Sequence, residues 1–531
     1  MVGQVAISST APTADLGAAR SRSRSGAGLL ALSALIAAVL LLPLLFLFLQ
    51  ASQVGWSTIS RLLFRHLTET LLWNTVTLLV AVGAACAVVG TAAAWCVERT
   101  DLPGRRMWAV LVVLPVAIPD FVVSYGWVSV APSVRGFRGA VLVMTLALYP
   151  LVYLPVAASL RGADPALEEI ARSLGLGPVA TFVRVTLAEC RTAILGGSLI
   201  VALAALAEYG AFEILGFRTF TTTIFTEFHA GFDAPAACAL SLVLVLISLV
   251  VLAGEFWARG RTRTNRSSRG AARAVSRRPL GKAKIPTVLG FVALSALALG
   301  VPIGTLVYWM TRGTSSTLPS ASIGSATWHT AIYSACAAGL STLFALPVAL
   351  LVVRQRRRTA IVLERGTYIV QALPGLVIAL ALVFFSVRYV PFLYQTPALL
   401  VLAYAILFFP LALVAVKASV ARAPIGLEDV ARSLGRGPIE VLFRVTLPLV
   451  APGLAAAFCL VFLSAVTELT ATLILVPTGV HTLATEFWAY TTNLSYGAAA
   501  PYAALLVGIA ALPTYILGRW FERLPSRTTS A

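Results

Sequence analysis

Only 11% of the 531 residues are charged and only four are histidine. Soluble globular chains carry about a quarter charged residues, so a water-soluble class is excluded. No G-x-x-x-x-G-K-[ST] occurs, and the single Gly-Lys, Gly281-Lys282, is followed by Ala283; the chain cannot cradle nucleotide phosphates by that route. H-E-x-x-H and Gly-x-Ser-x-Gly are also missing, which removes the commonest signatures of an intramembrane or surface hydrolase. No catalytic residue is assigned. The six cysteines, at 86, 96, 190, 238, 336 and 459, stand singly in or beside apolar runs without metal-ligand spacing, and are read as packing residues. His481 has no Cys or carboxylate three or four residues on and His229 has Asp233 alone, four residues on, which favours surface roles over metal binding. No metal site is assigned.

What is present is apolar sequence: 59% of the chain is hydrophobic and the mean hydropathy is +0.90. The apolar residues fall in twelve runs of bilayer-spanning length, at 28–50, 71–97, 107–130, 139–159, 192–208, 235–256, 285–310, 329–353, 367–389, 397–417, 451–467 and 498–518. The expected fold is therefore an all-α integral membrane protein in the lipid bilayer. With the N-terminus inside, 33 of the 40 Lys and Arg fall on the inner side and seven on the outer, which fixes both termini as cytoplasmic. The net charge of +19 is thus mainly a topology signal. Its densest cluster lies in a basic linker, 257–284, that contains no aromatic residue between Arg261 and Lys284, so no nucleic-acid partner is expected. Arg20, Arg22 and Arg24 precede the first run as in a secretory signal, but the run from Gly28 is too long for a cleaved one. The expected organisation is a cytoplasmic tail over 1–27, a first half over 28–256, the linker over 257–284, a second half over 285–520 and a cytoplasmic tail over 521–531.

The halves repeat. Residues 167–187 and 427–447 share 13 of 21 identities, and the spacing of 260 persists at Tyr149-Pro150 with Phe409-Pro410 and at Glu208 with Glu468. Six spans per half give both copies the same orientation, so the two are related about an axis along the membrane normal, with a pathway between them. In the repeated loop Leu167, Ile170 and Leu174, or Leu427, Val430 and Leu434, recur at helical spacing on a short charged helix. Gly175 and Gly435 suit a helix C-cap, and Gly177-Pro178 and Gly437-Pro438 start a second helix. A loop that matches better than the spans around it meets equivalent surfaces on a two-fold symmetric, cytoplasmic partner. Glu168 and Glu428 are expected to reach basic residues on that partner.

Glu168-Glu169-Ile170-Ala171 with Gly175, and Glu428-Asp429-Val430-Ala431 with Gly435, resemble the EAA loop of binding-protein-dependent ABC transporter permeases. The resemblance implies a type I, double-length permease in a bacterial cytoplasmic membrane, with Glu168, Glu169, Ala171, Gly175, Glu428, Asp429, Ala431 and Gly435 coupling it to an ATPase dimer. ATP would be held by that partner, no cofactor by this chain, and an extracytoplasmic solute-binding protein would deliver the cargo. The first loop ends Leu187-Ala188 where the second has the family's Leu447-Pro448. Asn74-Thr75, the run Arg99 to Arg105, Glu208-Tyr209-Gly210, and Glu468-Leu469-Thr470 with His481-Thr482 look like iron(III) permeases. Thiamine and phosphonate permeases are the alternatives, and a secondary transporter a further one.

Ionisable groups at membrane depth are functional candidates, which selects Asp120, Glu208 and Glu468 for the pathway. For the two glutamates, capping of a neighbouring helix N-terminus stands equally beside ion contact. Asp120 has no carboxylate opposite, the repeat spacing placing Ala379 or Leu380 there. Tyr209, Phe212 and Trp488 near the same place keep an organic cation open.

Overall fold

The computed structural model describes residues 16–162, 165–260, 278–312, 320–355 and 358–523. Among them the chain is helical, its one extended pairing a single bridge between Thr100 and Arg278. An apolar run in hydrocarbon has no water for its N–H and C=O groups and must close them within a helix; each of the twelve runs does. The first half supplies α1 (Leu16–Val54), α2 (His66–Arg99), α3 (Arg105–Ala117 and Asp120–Val130), α4 (Gly136–Leu148 and Pro150–Gly162), α5 (Phe182–Ala207) and α6 (Ala234–Gly260). The second supplies α7 (Gly281–Arg312), α8 (Ser320–Gln355), α9 (Arg358–Ala372 and Gly375–Tyr389), α10 (Pro397–Arg422), α11 (Pro438–Val466) and α12 (Tyr496–Arg523). Among the described residues eight single helices and three bent pairs are long and apolar enough to cross a membrane, and the twelfth run, α12, has a shorter apolar stretch over Tyr496–Ala511.

Helix α1 begins at Leu16, inside the expected tail, and α12 continues to Arg523. Residues 1–15 and 524–531, and 261–277 of the expected linker, lie outside the described residues. Arg278 at the linker's far end is docked: its N–H donates to the Arg99 carbonyl at 2.9 Å, and its carbonyl accepts from Asp101 N–H at 3.1 Å.

Helices α3 and α9 are bent by 94° and 102°. The cause is Pro119 and Pro374, each preceded by an extended residue, Ile118 (φ −97°, ψ 123°) and Leu373 (φ −88°, ψ 115°), as the proline ring requires of the residue before it. These matching breaks correct the alignment of the halves. Here the copies are 255 residues apart, as Trp73-Asn74-Thr75 and Trp328-His329-Thr330 are. The counterpart of Asp120 is therefore Gly375, not Ala379 or Leu380; the second half is longer between the break and the next span.

Two apolar cores form, and each takes helices from the other half. The core around α2, α3 and α4 includes Phe291, Ala298 and Leu306 of α7 and Ala499, Tyr502 and Leu506 of α12. That around α8, α9 and α10 includes Ile36, Leu40 and Leu47 of α1 and Ala237, Leu240 and Leu244 of α6. Tyr125 of α3 ties the exchange with a hydrogen bond from its hydroxyl to the Tyr496 carbonyl at 2.7 Å. Between helices in lipid such close packing and hydrogen bonding replace hydrophobic burial as the cohesive force.

Candidate functional site

Glu208 and Glu468 sit where α5 and α11 stop. The chain breaks and restarts as short helices, Gly210–Leu215 and Thr470–Leu475. A new helix start leaves N–H groups without partners, and in both copies the carboxylate takes one: Ala211 N–H donates to Glu208 Oε1 at 2.7 Å, Ala471 N–H to Glu468 Oε1 at 3.0 Å. The Thr221 hydroxyl donates to the Glu208 carbonyl and the Thr472 hydroxyl to that of Glu468, at 2.7 and 2.6 Å. Capping thus holds one oxygen of each carboxylate in place. It does not exhaust the group.

The broken helices bring the third carboxylate in. Glu208 lies in the electrostatic field of both Asp120 and Glu468. On the other side, a Cβ built on Gly375 would stand 2.9 Å from Glu468 Oε1, so the break in α9 approaches Glu468 as closely as a residue without a side chain allows. As residues all three are half-buried. Among the described residues no three His, Cys, Asp or Glu side chains are grouped as metal ligands. The arrangement gathers carboxyl groups from both halves without building a closed cage.

The repeated loops form helices Pro165–Ser173 and Ile425–Ser433. Their apolar stripes are left uncovered to the same degree: Leu167, Ile170 and Leu174 are 48, 55 and 77% exposed, Leu427, Val430 and Leu434 48, 56 and 76%. Gly175 (φ 83°) and Gly435 (φ 81°) occupy the left-handed C-cap, where Leu176 N–H donates to the Ala171 carbonyl and Arg436 N–H to that of Ala431, both at 3.1 Å. Glu169 and Asp429 are exposed, Ala171 is buried and Ala431 half-buried. Glu168 and Glu428 turn inward, 6% and 5% exposed. Glu168 accepts from Thr186 at 2.9 Å, Arg172 at 3.1 Å and Arg278 at 3.4 Å, with Arg99 Nε 3.9 Å away. Glu428 accepts from Arg354 at 2.8 Å and Arg432 at 3.3 Å. These two carboxylates therefore meet the chain's own arginines and not, as expected, a partner's. A buried carboxylate must be paired, and the adjacent Glu169 and Asp429 remain for an outside surface.

A Fe(3+)-transport system permease protein of Haemophilus influenzae is 38% identical to this chain over 489 residues, covering 92% of the chain and 97% of the relative. The chain belongs to the binding-protein-dependent transport permeases. The family profile, the inner membrane component of such transport systems, matches residues 341–527 of the permease. A ferric transport system permease protein of Actinobacillus pleuropneumoniae is 23% identical over 462 residues, 80% of the permease and 67% of its own length. The sulfate transport system permease protein of Salmonella typhimurium is 30% identical over 238 residues, 84% of that protein but only 40% of this one. The permease is a multi-pass membrane subunit and not an enzyme; systems of this family include an ATPase and a solute-binding protein.

Several residues of the permease escape sequence reading. Arg99 and Arg354 lie 255 residues apart in the repeat, the register that the loop motif at 260 conceals. Tyr404 joins Thr330, Tyr333, Ser334, Thr482 and Glu468 around a small cavity with room for about one water. The Thr472 hydroxyl gives its proton to the Glu468 carbonyl, so Tyr404 donates to Thr472 and keeps its oxygen lone pairs for the cavity. In the first half Leu78, Leu79 and Met144 stand where Tyr333, Ser334 and Tyr404 do, while Thr75 and Thr219 match Thr330 and Thr482, so three of the lining hydroxyls are one-sided. Of the aromatic candidates, Tyr209, Phe212 and Trp488 are all buried, and Tyr209 packs on Phe225 and Trp488 at ring distances of 4.5 and 5.4 Å. His229 is exposed and stacks on Phe225; His481 is exposed and pairs with Glu486 at 2.6 Å.

Proposed function

We propose that the permease passes ferric iron from an extracytoplasmic binding protein to the cytoplasm, driven by an ATPase dimer docked on the two exposed loops. The observation that carries the substrate is the convergence of Asp120, Glu208 and Glu468 from both halves. Carboxylate oxygens suit a hard, highly charged cation, and an open cluster that lacks a full ligand set lets it leave again. An oxyanion such as sulfate would meet carboxyl oxygens, acceptors like its own. An organic cation would need aromatic faces, and the aromatic rings here are packed on one another. The iron named for the Haemophilus influenzae relative agrees.

The excess of Lys and Arg on the loop-bearing side makes that side cytoplasmic, and both termini with it. Each uncovered stripe then seats in one of two equivalent clefts of the ATPase dimer, with Glu169 and Asp429 at its rim. The test is ATP-dependent uptake of radiolabelled ferric iron, and of labelled thiamine, by proteoliposomes holding the permease with its ATPase and binding protein. Iron uptake is the expected result. Thiamine uptake without iron uptake overturns the substrate.

A further inference from the structure

Each inward-facing glutamate of a coupling loop grips the end of one long helix. Arg99 is the last residue of α2 and is 3% exposed beside Glu168. Arg354 lies one residue from the end of α8, donates to Glu428 Oε1 at 2.8 Å, and also reaches the Ala423 carbonyl before the loop at 3.2 Å. Twenty-five residues up each helix a second grip repeats. The Asn74 amide donates to the Arg218 carbonyl at 3.2 Å, and His329 Nδ1 stands 3.0 Å from the His481 carbonyl. A carbonyl can only accept, so Nδ1 of His329 carries the proton.

Both carbonyls belong to the residue just before a capped helix. Thr219 begins Phe220–His229 and Thr482 begins Leu483–Thr492, each with a reciprocal threonine capping box. In the second half α8 adds a further bond, Leu483 N–H to Thr330 Oγ1 at 2.9 Å. These segments follow directly on the short helices capped by Glu208 and Glu468. A helix rises 1.5 Å per residue, so the two grips are about 38 Å apart, more than the roughly 30 Å of hydrocarbon between the membrane faces.

We propose that α2 and α8 are push-rods, with Arg99 and Arg354 as the positioning residues that carry a displacement of each coupling loop to the carboxylate-bearing segment at the far face. A long helix resists bending, so a shift imposed through the Glu428–Arg354 pair is carried toward His329 and Thr330, past Pro347, where one backbone N–H is missing from the ladder. The first rod has an additional clamp, Arg278 from the linker, on the same Glu168. The second rests on Arg354 and on Arg432, whose side chain is exposed. The second loop is therefore the more sensitive of the two.

This inference rests on the docking of the loops to an ATPase, and one assay separates the two. In proteoliposomes of the full permease with its ATPase and binding protein, ferric uptake and ATP hydrolysis are measured together. Arg354→Ala is expected to lower iron carried per ATP about tenfold while hydrolysis stays within about twofold of wild type. Arg354→Lys, which keeps the charge, restores most of that ratio. His329→Ala, at the opposite end of the rod, lowers the ratio in the same way. An unchanged ratio in Arg354→Ala or in His329→Ala overturns the push-rod. So does a joint loss of hydrolysis and uptake that Lys relieves no better than Ala, since the arginine would then only support the fold. A wild-type permease that recruits no ATPase removes the docking itself, before any substitution is made.

Discussion

Gly375 and Asp120 occupy one place in the repeat and do opposite things. Asp120 adds a second carboxyl group that Glu208 feels; Gly375 withdraws even a Cβ so that Glu468 can approach. Gly375→Val should push the Glu468 carboxylate from its cap on Ala471 and lower iron uptake at least about tenfold, with the complex still assembled on purification, because overpacking of this kind costs about 1–3 kcal/mol. Glu208→Gln and Glu468→Gln each keep the capping acceptor and delete the charge. The double variant should therefore be folded yet lose uptake more completely than either single one, and equal losses in all three would show that the charge is not what the pathway uses. Asp120, Glu208 and Glu468 were legible in sequence because a carboxylate in an apolar run is conspicuous. Gly375 and Tyr404 were not, since a glycine or a tyrosine in such a run is ordinary, and only the register of 255 residues fixed by the proline breaks shows what stands opposite what.

At the scale of elements, the coupling loops are the part the sequence states most fully. The stripe, the glycine C-cap and the restart at proline all appear as read, and the two copies agree to a percentage point in exposure. Their exits agree as well: both pass through a five-residue π segment, Phe182–Thr186 and Leu442–Thr446, so Ala188 in place of proline does not reshape the first. Gly435→Asp puts a side chain on a left-handed residue at a strain of about 1 kcal/mol, and should leave the spans folded while ATP hydrolysis no longer drives uptake; unaltered transport with a normal ATPase complement would count against docking through this turn. Replacing Leu434 by Ser, on the uncovered stripe, should weaken ATPase recruitment without changing thermal stability, which co-purification and a melting curve would read side by side. The inward turn of Glu168 and Glu428 was hidden, because a helical pattern gives which residues share a face but not which face meets the rest of the chain. The bends of α3 and α9 were hidden for a related reason: a proline inside an apolar run leaves its length, and so its count as one span, unchanged.

Across the whole molecule, the order of the apolar helices, up to eleven of them long enough to cross a membrane among the described residues, follows from hydropathy alone, but the partnering of spans does not. Lipid-facing and protein-facing residues are equally apolar, so nothing in the runs announces that α1 and α6 pack into the second core and α7 and α12 into the first. That exchange makes a prediction about a divided chain. Residues 1–270 and 271–531, produced as two polypeptides in one cell, should co-purify and retain ATP-dependent iron uptake, whereas either alone should be degraded, each core lacking the two helices it borrows. Recovery of a stable first fragment by itself would show that the exchange is not essential to the core.

A reciprocal loan of helices is also what two identical subunits would make if each laid its first and last helix over its neighbour. Read that way, the double-length chain is a dimer whose subunits were joined end to end, and the joining needed no new fold, only enough polar residues to run from the end of α6 to the start of α7. Once joined, the copies were free to diverge. One could gain Asp120 while the other kept a glycine, and one could carry Tyr333, Ser334 and Tyr404 where the other has Leu78, Leu79 and Met144, differences that a true homodimer, bound to encode both sides with one sequence, can never hold.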